Sequence, residues 1–163
     1  MKKDTLILGL GSSILTDAGI GLYLTNDLQN SELFSQADFE TDIICSLEIL
    51  ELIAGYHTLI IIDGIKSGNE QVGNVNIYSL ADFQTTIHLS NIHDFEFLQI
   101  LELGSMLGLK MPNNIYIIGI EVQDHTTFSE ELSHEINSKY NSIKNIIVHQ
   151  INEIIEAHSF VIF

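Results

Sequence analysis

Three apolar runs in this chain break off into residues able to hold a proton or a cation. Residues 5–10 lead into Gly11, Ser12, Ser13, Thr16 and Asp17; residues 59–62 lead into Asp63 and Gly64; residues 115–120 lead into Glu121 and Asp124. Asp63 is the most informative of these. A run such as Leu59-Ile60-Ile61-Ile62 reads as a strand buried on both faces, and it delivers the carboxylate to the top of a sheet, where the ionised form requires a cation or hydrogen bonds. His93 opens a helical pattern in Ser90-Asn91-Ile92-His93-Asp94-Phe95. An imidazole beside carboxylates makes the nitrogen and oxygen donor set that suits zinc or nickel. Each residue also has a purely structural reading: Asp63 capping loop amides, Asp17 as a helix N-cap, His93 as a surface or cap residue. The other histidines, at 57, 88, 125, 134, 149 and 158, show no ligand spacing.

Two further chemistries do not fit the same loops. Gly9-Leu10-Gly11 follows a strand-like run and precedes a helical one, but the third glycine of a dinucleotide fingerprint is replaced by Ile14, and Gly-Lys-Ser/Thr occurs nowhere. The glycines are sufficiently explained by a tight turn and close helix packing. Ser12 and Ser13 lack the Gly-x-Ser-x-Gly elbow of a nucleophile.

The elements that must position these residues alternate in type. A strand over 5–10 is followed by a helix with Ile20, Leu24 and Leu28 in phase; an edge strand over 39–44 by a helix over 47–54 that stops at Gly55; a buried strand over 57–62 ends at Asp63-Gly64. Residues 72–80 read as a further strand, antiparallel or at an edge. A helix runs from His93 to the break at 108–112, and a last buried strand covers 115–120. A long helix capped by Ser129 or Ser133 follows, with Ile136, Tyr140, Ile143, Ile147 and Ile151 in phase. The alternation predicts an α/β fold, one domain over residues 1–163, in three layers: a mainly parallel twisted sheet with helices on both faces.

Composition bounds the partners. Six Lys, no Arg and 22 acidic residues give a formal charge of -16. That field opposes phosphate backbones and anionic membranes, so neither nucleic acid nor membrane is an expected partner; a cation or a basic protein segment fits better. Hydrophobic residues make up 45% of the chain, charged residues 17%, which is the composition of a packed globule. Cys45 stands alone, as a small buried hydrophobe in a reducing compartment. Met1-Lys2-Lys3-Asp4 runs directly into a strand-like run too short for a signal sequence, and the expected location is cytoplasmic.

Taken in order, Gly9-Leu10-Gly11-Ser12-Ser13-Ile14-Leu15-Thr16-Asp17-Ala18-Gly19-Ile20-Gly21, then residues 59–63, then His93-Asp94-Phe95, resemble the hydrogenase maturation endopeptidase family; the similarity extends through Met111-Pro112 and 115–122 to 127–133. The resemblance implies a protease that removes a C-terminal peptide from the large-subunit precursor of a nickel-iron hydrogenase after nickel insertion. The nickel arrives with the substrate, with zinc or cadmium as surrogates. It implies metal contacts from Asp63, from His93 and from an acidic residue after the first strand, with Gly11, Ser12 and Gly64 in the loops facing substrate. At the acidic position this chain has Ala18, with Asp17 beside it as a tentative substitute, and Ser12 stands where the family has asparagine. A second implication is a weakened homologue that binds a metallated partner without cleaving it.

Overall fold

The computed structural model describes residues 2–42, 47–68, 70–82 and 92–159, with 92–96 and 159 described in backbone only; Cys45 lies outside this set. The chain runs β1 (Thr5–Leu10), a 3-10 turn (Thr16–Gly19), α1 (Ile20–Asn30), β2 (Ala37–Asp42), α2 (Ile49–Ile53), β3 (Thr58–Ile65), β4 (Val75–Ser79), α3 (Ile92–Met106), β5 (Asn114–Glu121) and α4 (His134–Ser159). The strands form one sheet in the order β2-β1-β3-β5-β4. The first four are parallel, and β4 lies antiparallel on β5 at the edge.

The apolar runs have no polar alternation because both faces of the central strands are covered. Successive strand side chains face opposite ways. Ile7, Ile60, Ile62, Ile118 and Ile120 therefore enter one layer, with Leu24 and Leu28 of α1 and Ile143, Ile147 and Ile151 of α4. Leu6, Leu8, Leu59, Ile61, Ile65 and Ile117 enter the other, with Ile49 and Ile53 of α2 and Phe97 and Ile100 of α3. Close approach on the first face depends on glycine: a Cβ on Gly9 would stand 2.6 Å from the Gly21 carbonyl oxygen of α1.

Three expected boundaries are corrected. β2 starts at Ala37, where it pairs with Thr5, and its described part ends at Asp42. α2 is shorter than residues 47–54. β3 does not stop at Asp63, because Asp63, Gly64 and Ile65 go on pairing with Gly119, Ile120 and Glu121 of β5. Ladder hydrogen bonding is indifferent to side-chain polarity, so a carboxylate inside a strand looks like a strand end in sequence. Among the described residues, no helix is long and apolar enough to cross a membrane.

Candidate functional site

β1 pairs with β2 on one side and β3 on the other, and α1, which follows β1, lies on the sheet face opposite α3, which follows β3 and β4. In open α/β sheets this divergence opens a crevice beyond the carboxyl ends of the two strands, where ligands bind. Asp63 stands at that crevice. It shares the parity of Leu59, Ile61 and Ile65, so it faces the layer of α2 and α3. It is half-buried, and its register neighbour in β5 is Gly119. His93 is the second residue of α3, on the same side of the sheet; its side chain lies outside the described set.

Gly64 faces the other way. A Cβ there would stand 3.1 Å from the Asp17 carbonyl oxygen and 3.4 Å from Val122, so β3 is held tightly beneath the 3-10 turn. The loop before that turn is closed by Ser12 N–H donating to the Ala18 carbonyl at 3.0 Å and Ala18 N–H donating to Leu15 at 2.8 Å. Gly11 passes so close to the Ala18 carbonyl that no side chain fits between them. Ala18 is half-buried at the rim.

Asp17 is not the N-cap of α1. It sits inside the 3-10 turn, and Gly19 precedes α1 with no side-chain cap. The Asp17 carboxylate is 1% exposed and accepts the Ser133 N–H at 2.7 Å, while its own N–H donates to Asp124 at 3.2 Å. Ser133 in turn caps α4, its Oγ accepting the Ile136 N–H at 3.3 Å. Asp17 thus braces the start of α4 on the sheet face opposite Asp63, and we assign it no metal role. Among the described residues, no group of three or more His, Cys, Asp or Glu is placed to hold a metal ion.

Two acids expected in the loop after residues 115–120 are structural: Glu121 is the last residue of β5, and Asp124 follows it in the loop. Glu121, 3% exposed, accepts Ser67 N–H at 3.2 Å, Ser67 O–H at 2.8 Å and Gly68 N–H at 3.0 Å, tying the loop after β3 to the end of β5. Asp124 accepts the Thr127 and Thr126 N–H groups, which hold its carboxyl below the usual range. Glu121→Gln is expected to weaken this tie. Hydrogen bonds to a charged acceptor contribute about 1.5–3 kcal/mol against about 1 kcal/mol for neutral ones, and the amide places a donor against donors. A thermal midpoint lowered by a few degrees, with faster hydrogen exchange at Ser67 and Gly68, is the result to look for in a melt and an exchange experiment.

A separate cleft of about 590 Å³ opens at the opposite, amino-terminal end of the strands, between Lys2, Phe34, Asp38 and Tyr56. Lys3, Asp38 and Tyr56 in its lining are engaged with one another. Tyr56 donates to Asp38 at 3.0 Å, and burial followed by that carboxylate pushes the phenol up to about 12.

The family model described as HycI, hydrogenase maturation protease, matches residues 45–150. The chain belongs to the hydrogenase maturation protease family. Asp63 and His93 lie inside the matched segment, and Ala18 lies before it. Solved structures of the same overall shape include the hydrogenase maturating endopeptidase HybD from Escherichia coli, at 19% identity over 94% of this chain and 93% of that one, with a TM-score of 0.74. The [NiFe] hydrogenase maturation protease HybD from Thermococcus kodakarensis gives 23% identity over 90% and 97%, with a TM-score of 0.72. HycI from Thermococcus kodakarensis KOD1 gives 16% identity over 91% and 92%, with a TM-score of 0.64. A comparison with curated proteins gave no match. At these identities the likenesses establish the mainly parallel α/β fold, and the family match makes the chain a maturation protease, a hydrolase.

Proposed function

We propose that this maturation protease cleaves the C-terminal peptide from a nickel-iron hydrogenase large-subunit precursor, and that Asp63 and His93 grip the nickel the precursor carries. What supports the reading is that Asp63 and α3, whose second residue is His93, lie on the same side of the sheet, with both residues inside the matched segment. Carboxylate and imidazole suit nickel, and both belong to this chain while the metal belongs to the substrate. Binding the metal fixes the tail of the precursor against the enzyme, so the peptide bond to be hydrolysed is presented at high effective concentration. Hydrolysis adds water across that bond, with hydroxyl going to the carbonyl carbon and a proton to the leaving amine. The deciding experiment is incubation with nickel-loaded and nickel-free precursor, followed by mass spectrometry of the C-terminus. Trimming of the loaded form alone is expected; no trimming of any precursor overturns the reading.

Ala18 defines a second measurement. A carboxylate introduced there supplies a third donor on a turn already fixed by the Ser12 and Leu15 bonds. Ala18→Glu is expected to tighten nickel or cadmium binding by roughly tenfold, on the scale of 10–100-fold that partners of a metal site contribute, while Ala18→Gln does not. Calorimetric titrations that are unchanged by Ala18→Glu, Asp63→Ala and His93→Ala alike would remove the metal site.

A further inference from the structure

The loop after β1 and the loop after β5 are joined by an isolated parallel bridge between Leu15 and Ser129. Ser129 N–H donates to the Ile14 carbonyl at 3.0 Å, and Thr16 N–H donates to the Ser129 carbonyl at 2.9 Å. Thr16 Oγ1 adds a bond to the Thr127 carbonyl at 2.7 Å. These bonds hold Thr16 at φ 35°, a backbone region costly for a β-branched residue. The bridge brings the backbone at Ile14 and Leu15 against that at Phe128 and Ser129. Ile14 is 52% exposed and Phe128 81%.

Two large, exposed apolar residues thus stand on adjoining loops joined by backbone bonds, and one of them, Ile14, is on the loop that leads to Ala18. The segment beyond them is acidic. Tyr23 O–H donates to the Glu130 carbonyl at 2.7 Å, and Tyr23, Asp27, Glu130, Glu131, Leu132 and Tyr140 line a groove of about 520 Å³ between α1 and α4. Among the described residues no lysine or histidine lines that groove, although Lys144 pairs with its Asp27 at 3.5 Å. The acids that follow Phe128 are Glu130 and Glu131, and the whole chain carries a charge of -16.

We infer that Ile14 and Phe128, with the groove beside them, form the docking surface for the precursor, and that the docked segment places an apolar side chain on this pair and a lysine or arginine beside Glu130 and Glu131. The charge selects the occupant: an acidic segment is repelled, and a second copy of this chain brings the same negative field to the same patch. Exposed aromatics pinned by backbone bonds anchor partners at low conformational cost. The inference rests on the protease reading for the identity of the partner, and the test separates the two.

Kinetics with nickel-loaded precursor are compared for the wild-type protein, Phe128→Ser and Glu130→Lys/Glu131→Lys. Phe128→Ser is expected to raise KM about tenfold, as loss of an aromatic anchor does, with kcat and the thermal midpoint unchanged. The lysine pair is expected to raise KM and remove its dependence on salt. Unchanged KM in both variants overturns the docking surface and leaves the protease reading intact. If the wild-type protein trims nothing, the protease reading fails, and precursor binding by titration calorimetry decides the surface: weaker binding by Phe128→Ser supports it, equal binding or none by the wild type overturns it. A wild-type dimer in sedimentation that Phe128→Ser dissociates also overturns it, in favour of self-association.

Discussion

Asp63→Ala and His93→Ala are each expected to abolish trimming of a nickel-loaded precursor, by at least about a hundredfold, because partners one layer removed from a metal already cost roughly 10–100-fold. The thermal midpoint is expected to stay within a few degrees. Asp63 is half-buried at the crevice, on the side of the α2 and α3 layer, and the ladder to β5 is formed by backbone groups that alanine also has. A structural role for Asp63 gives the reverse: lower stability with activity reduced only in proportion to the folded fraction. Two residues holding one metal act as a unit, so the double variant is expected to lose little more than either single one. Asp63→Asn separates charge from shape. It fits the same space but is a poorer partner for a cation, and its activity is expected to fall with that of Asp63→Ala. Retention of a tenth or more of wild-type trimming by either alanine variant contradicts the assignment.

What the sequence made legible follows the range of the interactions involved. The central strands were readable because burial on both faces removes polar residues from a local run, as in 5–10, 59–62 and 115–120. β4 was readable as an edge strand from its interrupting polar residues. The start of α3 at Ile92 matches the expected helix opening at His93, and Ser133 proves to be the cap of α4. Asp17 was misread because its partner is Ser133, 116 positions away. From local spacing, a carboxylate ahead of a helical run looks like the cap of that run. Glu121 was seen as a loop acid for the same reason: its donors, Ser67 and Gly68, lie more than 50 positions earlier. The Leu15–Ser129 bridge is wholly non-local, and nothing in either segment's composition announces it. The candidate residues were thus visible as polar breaks in apolar runs, but that Asp17 and Glu121 brace the fold is seen only in the long-range hydrogen bonds they accept.

Gly21→Ala is expected to be strongly destabilising. Gly21 is the second residue of α1, where alanine ordinarily favours the helix by up to about 1 kcal/mol. Here a Cβ would be driven between the carbonyl oxygens of Leu10, the last residue of β1, and Ile62, within β3, nearer than any real Cβ approaches. Both obstacles are backbone, held in the ladder that defines the crevice, so neither moves without shifting a strand. Overpacking of this kind costs about 1–3 kcal/mol or more, and for a chain of this size each kcal/mol lowers the midpoint by about 2–4 °C. The upper end of that range, a fall of roughly 6–12 °C, exceeds the helix gain. Gly104 in α3 is the matched control. A Cβ there would also meet close neighbours, the Met111 sulfur at 2.5 Å and Leu50 Cδ2 at 2.9 Å, but these are the ends of flexible side chains that can turn aside, so Gly104→Ala is expected to shift the midpoint by no more than a few degrees. Because the displaced strands are the two that frame Asp63, Gly21→Ala is also expected to lose trimming activity at temperatures where it is still fully folded, whereas Gly104→Ala keeps it. Equal midpoints for the two variants would show that α1 can move away from the β1 and β3 ends without cost, and that the crevice is not fixed by glycine packing.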